Sequence, residues 1–255
     1  MLDERIQAED DNLITADVAR AIEEKEFVPY VQPQFDLATG RVVGCEALVR
    51  WTLPEDGTVV PASLFVPSLE RTHTICGLDW FMIEEMCLFL GKVAGTAAEV
   101  PVSLNISAQH AGTSDFGVRL AASADWPGVP HELVCVEVSE HKILSGSEAV
   151  RGLVASVAEQ GLCVIVDNCE LKQGVDGICI PGVTVAKVAA SCWREAESLD
   201  DVIARAHQSG VHLCAEGVET EEDKQKVQNL GIGRAQGYYL GRPMSLDSFV
   251  ELCKA

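Results

Sequence analysis

The amino-acid sequence predicts an α/β protein folded as a (βα)₈ TIM-like barrel. Strand-like apolar runs alternate with helical periods over most of the 255 residues, which indicates βαβ units and a mostly parallel sheet. Seven successive apolar strands each finish on a polar or charged residue, and the number of units favours a closed barrel over an open sheet. With 47% apolar residues, the chain can bury the core of such a domain.

The elements follow in order along the chain. A polar tail over residues 1–15 precedes an amphipathic helix over Ala16–Lys25. FVPYVQPQFD and RVVGCEALVRW then form a hairpin around the turn-like LATG, so the first strand is expected to run antiparallel to the rest. The later strands are VPVSLNIS, LVCVEVS, LCVIVD, VTVAKV, VHLCAEG and AQGYYLGRP.

Helical periods separate these strands. They cover Leu78–Val93, Gly117–Ala124 and Ser147–Glu159, and they recur in SLDDVIARAHQSG and EEDKQKVQNLG, which both end at a glycine suited to a helix C-cap. The helix SLDSFVELC comes last. We expect residues 16–255 to form one domain.

Composition excludes several classes of protein. The net charge of −20 argues against binding to nucleic-acid polymers, because phosphate backbones are bound through clustered Lys and Arg. No run of 18 or more apolar residues appears and the start is acidic, so we expect no membrane span, no signal peptide and a cytoplasmic location. Ten cysteines without a CxxC pair, and six histidines without zinc spacing, indicate reduced and structural side chains.

Polar residues at the strand ends carry the candidate chemistry. Carboxyl ends of barrel strands build the active site, so these side chains should converge. They are Glu46, Asn105, Glu137, Asp167, Lys187, Glu216 and Gln236. Polar residues also occur at strand ends because the loops that follow are solvated. A polar residue inside a buried strand carries a desolvation cost, however, so solvation alone explains these residues poorly.

The residue types limit the chemistry further. Four oxygen ligands without a thiolate or imidazole favour Mg²⁺ or Mn²⁺. A lysine facing the same cleft can deprotonate a water or stabilise a phosphate. Together these features indicate metal-assisted hydrolysis of a phosphoester, and a sugar-phosphate or enolate barrel enzyme is the rival hypothesis.

Seven motifs in order resemble the EAL domain family of bacterial cyclic di-GMP phosphodiesterases. They are GCEALVRW with the upstream YVQPQFDLATGRVVG, then SLNISAQ, VEVSE, VIVDN, the lysine of VAKV, CAEGVET and AQGYYLGRPM. The resemblance implies metal-dependent hydrolysis of cyclic di-GMP to linear pGpG, with Mg²⁺ or Mn²⁺ required. A homodimer or a sensor domain is the expected protein partner.

The resemblance also implies roles for individual residues. Glu46, Asn105, Glu137 and Asp167 would ligate the first metal ion, and Lys187 would act as general base. Glu216 and Gln236 would complete the metal and water shell, and Glu140 would brace the loop after Asp167. The dinucleotide contacts would be Gln32, Leu48 and Arg50. From the residues alone, Gln32 can equally satisfy backbone groups, and Arg50 can equally lie over an aromatic ring.

The sequence departs from the family at the second metal site. Where the family has two adjacent aspartates followed by Phe-Gly-Thr-Gly, this chain has Asp167, Asn168 and a different loop. The family's Lys-Ile-Asp becomes Lys187-Val188-Ala189. An amide oxygen brings no charge, so the second ion should bind more weakly and hydrolysis should be slow or conditional. The alternative is an inactive cyclic di-GMP receptor or protein-interaction module, although retention of Lys187, Glu216 and Gln236 favours the enzyme.

Overall fold

Eight strands close into a barrel in the computed structural model, which describes residues 18, 20–54, 56–72, 74–113, 115–172, 174–175 and 177–254. Two short strands extend the sheet beyond the barrel. In chain order the strands are β1 Phe27–Asp36, β2 Val42–Thr52, β3 Val59–Pro61, β4 Val102–Asn105, β5 Val134–Ser139, β6 Cys163–Cys169, β7 Val183–Val188, β8 His212–Ala215, β9 Arg234–Ala235 and β10 Met244–Ser245.

The barrel is mixed in direction because of its first strand. The order around the ring is β1, β9, β8, β7, β6, β5, β4 and β2, and the β1–β2 hairpin closes it. β1 is antiparallel to both neighbours, whereas every other neighbouring pair in the ring is parallel. The predicted TIM-like barrel with an antiparallel first strand is therefore confirmed.

Helices surround the barrel and cover the outer faces of its strands. Val164 and Val166 of β6 point into the large core between strands and helices, whereas Ile165 points into the barrel with Val185. Burial on both faces explains why these strands read as continuous apolar runs. The described α-helices are Val66–Arg71, Ile75–Val93, Phe116–Asp125, Glu140–Leu144, Glu148–Glu159, Ala190–Trp193, Asp200–Gln208, Glu221–Asn229 and Leu246–Lys254.

Several predicted boundaries need correction. The predicted strand AQGYYLGRP contributes only Ala235 to β9, and Gln236 follows directly after this strand. Glu46 lies within β2 rather than at its end, because β2 runs on to Thr52 and pairs there with β1 and β3.

The N-terminal predictions lie largely outside the described residues. These include the polar tail over residues 1–15; of the predicted helix Ala16–Lys25, residues 18 and 20–23 are helical. Among the helices that the structure describes, none is both long enough and apolar enough to cross a membrane.

Candidate active site

Parallel register brings the predicted polar residues to one end of the barrel. Asn105 lies opposite Glu137 across β4 and β5, whereas Glu46 lies opposite Ser103, two residues before Asn105 on β4. Glu216 and Gln236 directly follow β8 and β9. Because side chains point alternately inward and outward along a strand, these polar groups all point towards the barrel axis at this end.

Lys187 lies at the centre of four carboxylates. Its Nζ is 2.8 Å from Glu46 Oε2, 2.9 Å from Glu137 Oε2, 3.0 Å from Asp167 Oδ1 and 3.1 Å from Glu216 Oε1. The Lys187 side chain is 1% exposed. One ammonium therefore faces four acidic groups in a site with little water, and the cluster carries excess negative charge whenever most of these groups are ionised.

Three amide side chains complete the cluster. Asn105 Nδ2 donates to Glu46 Oε1 at 2.9 Å, and Gln236 Nε2 donates to Glu46 Oε2 at 2.7 Å and to Glu216 Oε1 at 3.1 Å. Gln34 Nε2 in turn donates to Gln236 Oε1 at 2.9 Å. These bonds fix the orientation of Gln236 and hold Glu46 in its ionised form.

Burial and charge move the pKa values of the carboxyls apart. Burial first, and then the Glu46 charge, raise the pKa of Glu137 to about 8. Burial raises the pKa of Glu216 to about 7, against the opposing charge of Lys187. Burial alone would raise the pKa of Glu46 as well, but the Lys187 charge and three hydrogen-bonded side chains bring it below its usual range.

The same charges act on Lys187. Burial favours the neutral amine, but the surrounding carboxylates, led by Glu137, raise the pKa of Lys187 well above its usual range. Lys187 is therefore an ammonium in this arrangement, and a base role requires that another cation replace it as partner of the carboxylates.

The donor set fits a hard divalent ion. In the part of the chain that the structure describes, no three His, Cys, Asp or Glu side chains are spaced to hold a metal as they stand. The Lys187 ammonium occupies the space between the carboxylates. Among the described residues, buried Glu137 Oε1 accepts no hydrogen bond, and Asp167 Oδ1 has only its ionic contact with Lys187. Oxygen-only ligands with spare lone pairs suit Mg²⁺ or Mn²⁺.

Asp167 and Asn168 form a bulge opposite Lys187. Val166 pairs with Ala186 and Cys169 with Val188, so two residues of β6 face one of β7. Asn168 adopts a φ of 52° and is exposed. Asn is one of the few residues other than glycine that adopt this left-handed conformation readily.

Glu140 holds the backbone that follows the bulge. It is 5% exposed, and its Oε2 accepts from the Glu170 amide at 2.8 Å. A buried carboxylate that receives a backbone N–H restrains that loop. Glu140 therefore contacts the loop that follows Asp167, and its bracing role stays a prediction.

Two cavities flank the carboxylate cluster and meet at Glu46. The first, of about 490 Å³, is lined by Leu48, Asn105 and Asp167 among others. The second, of about 390 Å³, is lined by Gln32, Glu216, Gln236 and Tyr238 among others. Such volumes are typical of small-ligand sites.

The three predicted ligand contacts occupy different places. Leu48 lines the first cavity. Gln32 lines the second cavity while its Nε2 donates to the Gly241 carbonyl at 3.0 Å. Arg50 is not among the residues that line either cavity. Its guanidinium lies 5.6 Å from the Tyr30 ring centroid, and Nη1 donates to the Val49 carbonyl at 2.9 Å.

Sequence reasoning missed two residues of the site. Gln34 bonds to Gln236, and its position two residues from Gln32 on the same face of β1 was the available signal. Asp79 lines the first cavity, and its Oδ2 accepts from the Ser107 amide at 3.0 Å and contacts His110 Nε2 at 3.1 Å. Its position in the helix Ile75–Val93 gave no sequence signal for this contact.

Comparison with solved structures gives the same fold. The EAL enzyme Bd1971, solved with cAMP and cyclic di-GMP bound, superposes with a TM-score of 0.82 at 22% identity, covering 97% of this chain and 70% of that one. The PaMucR phosphodiesterase, solved as a cyclic di-GMP complex, has a TM-score of 0.76 at 23% identity, covering 92% and 99%.

Comparison of sequences identifies the family. Cyclic di-GMP phosphodiesterase RocR of Pseudomonas aeruginosa is 26% identical over 246 residues, which cover 93% of this chain and 62% of RocR. Cyclic di-GMP phosphodiesterase PA2567 of the same organism is 31% identical over 235 residues, covering 87% and 39%. This chain thus spans less than two thirds of these two relatives' length. The EAL domain model matches residues 15–243, and the chain therefore belongs to the EAL domain family.

Proposed function

We propose that this chain is a phosphodiesterase that hydrolyses cyclic di-GMP to linear pGpG with Mg²⁺ or Mn²⁺. The observation that carries the proposal is the cluster of Glu46, Glu137, Asp167 and Glu216 around Lys187, between two cavities. The relatives RocR and PA2567 are named cyclic di-GMP phosphodiesterases, which supports this substrate.

In this proposal Glu46, Asn105, Glu137 and Asp167 hold the metal. The ion supplies Lewis-acid stabilisation of charge on the phosphoryl oxygens and lowers the pKa of a nearby water. Gln236 holds the carboxylates of Glu46 and Glu216 in place through its two donated hydrogen bonds. Lys187 can accept a proton only as a neutral amine, so its base role depends on cations that draw the carboxylates away from it.

The two cavities suit the two halves of a cyclic dinucleotide. Glu46 lines both cavities, so a ligand that spans both would place its phosphodiester next to the carboxylate cluster. Leu48 would contact one half and Gln32 the other. Arg50 would reach the ligand only by leaving the Tyr30 ring. A protein of net charge −20 needs bound cations before it accepts a dianion.

A cyclic di-GMP receptor without hydrolysis is the second candidate, favoured by Asn168 and Ala189. Asn168 brings an uncharged amide to the bulge. Ala189, which is 7% exposed, has a methyl side chain that offers no metal ligand after β7. A site that holds one ion well and a second poorly binds the dinucleotide but stabilises only part of the charge of the transition state.

One experiment distinguishes the two functions. The chain is incubated with cyclic di-GMP and Mn²⁺ or Mg²⁺, and the products are separated by chromatography. We expect pGpG with metal, none in EDTA, and at least about a 100-fold slower reaction for Glu46→Gln, equivalent to about 2.7 kcal/mol. Glu84→Gln, on an exposed helix position, is the matched control and should keep the wild-type rate. If no pGpG forms although calorimetry shows that cyclic di-GMP binds to the chain, the receptor function is established instead.

A further inference from the structure

Below the carboxylate cluster, the barrel interior contains a layer of thiols. Cys135 and Cys214 share a small apolar cluster with Ile165 and Val185, and Cys163 packs against it. Cys135 precedes Glu137 by two residues on the same face of β5, and Cys214 of β8 precedes Glu216, the first residue after that strand, by two residues as well. The thiol layer therefore lies one inward-facing position deeper in the barrel than the carboxylates of the candidate site.

Cys135 and Cys163 are direct neighbours in this layer. They are partners in the parallel register of β5 and β6, and alternation places both side chains on the inner face. Neighbouring strands lie about 4.8 Å apart, which is within the Cα separation that a disulfide spans. Cys135 is 4% exposed, whereas Cys163 is partly exposed and its Sγ lies 3.3 Å from the Glu132 carbonyl oxygen.

Cys163 differs chemically from the other thiols of the barrel. Hydrogen bonding from the Cys135 thiol lowers the pKa of Cys163 against the effect of burial. Burial raises the pKa of Cys45, Cys169 and Cys214 instead. Cys163 is also the least buried of these four thiols, and because an accessible thiolate is the nucleophile in oxidation, we expect it to react first among them.

We propose that Cys163 and Cys135 are an oxidisable dithiol, which a peroxide converts into a disulfide between β5 and β6. The Cys163 thiolate attacks one oxygen of hydrogen peroxide, the O–O bond breaks, and the second oxygen leaves as water after protonation. Cys135 sulfur then attacks the resulting sulfenic acid, an S–S bond forms, and the S–O bond breaks to release water. Two thiols and one peroxide thus give one disulfide and two waters.

The disulfide would act on the site directly above it. A disulfide prefers Cα atoms about 5.5–6 Å apart and an S–S dihedral of about 90°, so forming it shifts the strands that carry Glu137 and Asp167 relative to each other. Active-site geometry tolerates only small displacements. This second step rests on the proposed function, because it assumes that Glu137 and Asp167 hold the metal, and it predicts weaker metal binding in the oxidised protein.

Peptide mapping tests the dithiol without any activity assay. The full chain is treated with hydrogen peroxide, alkylated and digested with trypsin under non-reducing conditions. We expect a cross-link between fragments 120–142 and 152–172, which contain Cys135 and Cys163. Fragment 152–172 also contains Cys169, so fragment-ion sequencing has to locate the bond at Cys163.

Variants make this assignment decisive. The cross-link should disappear in Cys163→Ser and persist in Cys253→Ser, a partly buried cysteine near the C-terminus that serves as the matched control. A cross-link from Cys163 to Cys214, or one that survives in Cys163→Ser, would overturn the pairing. Absence of any 120–142 to 152–172 cross-link, while other thiols are oxidised, would also overturn it.

Metal binding tests the coupling to the site. Calorimetric titration with Mn²⁺ should give about tenfold weaker binding for the oxidised chain, and dithiothreitol should restore it, a change of about 1.4 kcal/mol. Peroxide should leave Mn²⁺ binding by Cys163→Ser unchanged. If the cross-link forms and Mn²⁺ binds equally well, the coupling is wrong although the dithiol stands. If the reduced chain binds no Mn²⁺, the proposed metal site fails instead.

Discussion

Asn168 has a left-handed backbone conformation, and it is an amide at the position of the second of the family's two adjacent aspartates. Its φ of 52° and the bulge opposite Lys187 need a residue that tolerates the left-handed region, and both Asn and Asp do. The backbone therefore does not explain why an amide stands here in place of a carboxylate. The difference between the two residues is one ligand charge.

Asn168→Asp should raise turnover of cyclic di-GMP at low Mn²⁺ concentration. The added charge favours a second dication, and a tenfold gain needs only about 1.4 kcal/mol of transition-state stabilisation. Initial rates measured across a Mn²⁺ series test this. Asn168→Gly, which keeps the left-handed backbone but removes the ligand, should show no gain. Equal rates for wild type and Asn168→Asp at every concentration would refute it.

Lys187→Met should destabilise the metal-free protein strongly. The change keeps the length of the side chain but leaves four carboxylates without their common cation, and loss of one partner from a buried ion pair costs about 3–5 kcal/mol. Urea unfolding in EDTA measures the loss, and Mn²⁺ should restore part of it. Lys254→Met, an exposed pair with Glu251, should cost less than about 1 kcal/mol. A loss that small at Lys187 would contradict this prediction.

At the scale of elements, glycine permits close contact between two helices on the outside of the barrel. Gly117, in the helix Phe116–Asp125, donates its amide to Ser156 Oγ at 3.1 Å in the helix Glu148–Glu159. A Cβ at Gly117 would lie 2.1 Å from the Ser156 carbonyl oxygen, which no side-chain rotation relieves. The helix pair therefore requires this glycine.

Gly117→Ala and Gly152→Ala should have opposite effects on stability. The first forces the helices apart at a cost of about 1–3 kcal/mol. Gly152 is exposed within the second helix and has no neighbouring atom within 4 Å of an added Cβ, so alanine should stabilise by about 0.5–1 kcal/mol. Urea unfolding of both variants checks this pair, and a neutral Gly117→Ala would show that the helices can separate freely.

Glu26 links the N-terminal segment to the hairpin. Its carboxylate accepts from Arg20, and Oε2 accepts from Trp51 Nε1 at 2.8 Å. Hydrogen bonds from Arg20 first, and then from Trp51, lower the pKa of Glu26 below its usual 4.5. A lowered folded-state pKa contributes stability that is fully present above pH 4.5 and is lost as pH falls through the folded-state value.

Glu26→Gln should therefore be less stable than wild type near pH 7, by about 1–2 kcal/mol. The difference should shrink as pH falls below 4.5 and through the lowered folded-state pKa of Glu26, below which the wild-type carboxyl is protonated as well. Thermal unfolding of both proteins from pH 7 to pH 3 measures it. A difference that stays constant over this range would mean that Glu26 acts only through its shape.

The whole molecule is strongly acidic, and its candidate site adds to that charge. With net charge −20 and four carboxylates around one ammonium, the field at the barrel mouth repels a dianion. We expect cyclic di-GMP to bind at least about tenfold more tightly with Mg²⁺ or Mn²⁺ than in EDTA, a difference of about 1.4 kcal/mol. Isothermal calorimetry compares the two buffers, and equal affinities would rule out a cation requirement for binding.

The sequence alone determined the barrel and the set of polar residues at its mouth. Each strand and helix is encoded by a local period of apolar residues, and Asn105, Glu137 and Asp167 stand near the carboxyl ends of their own strands. Parallel connections then force these ends to one side of the barrel. These features need no knowledge of which distant residues meet.

Only the tertiary structure decided how those residues meet. The bulge at Asp167 and Asn168, the ammonium state of Lys187, the Gln34 bond to Gln236 and the pairing of Cys135 with Cys163 all depend on register between strands. Register is set by the closed sheet as a whole, since a shift of one residue would turn every inward side chain outward. The local period of apolar residues does not specify which residues pair across the strands.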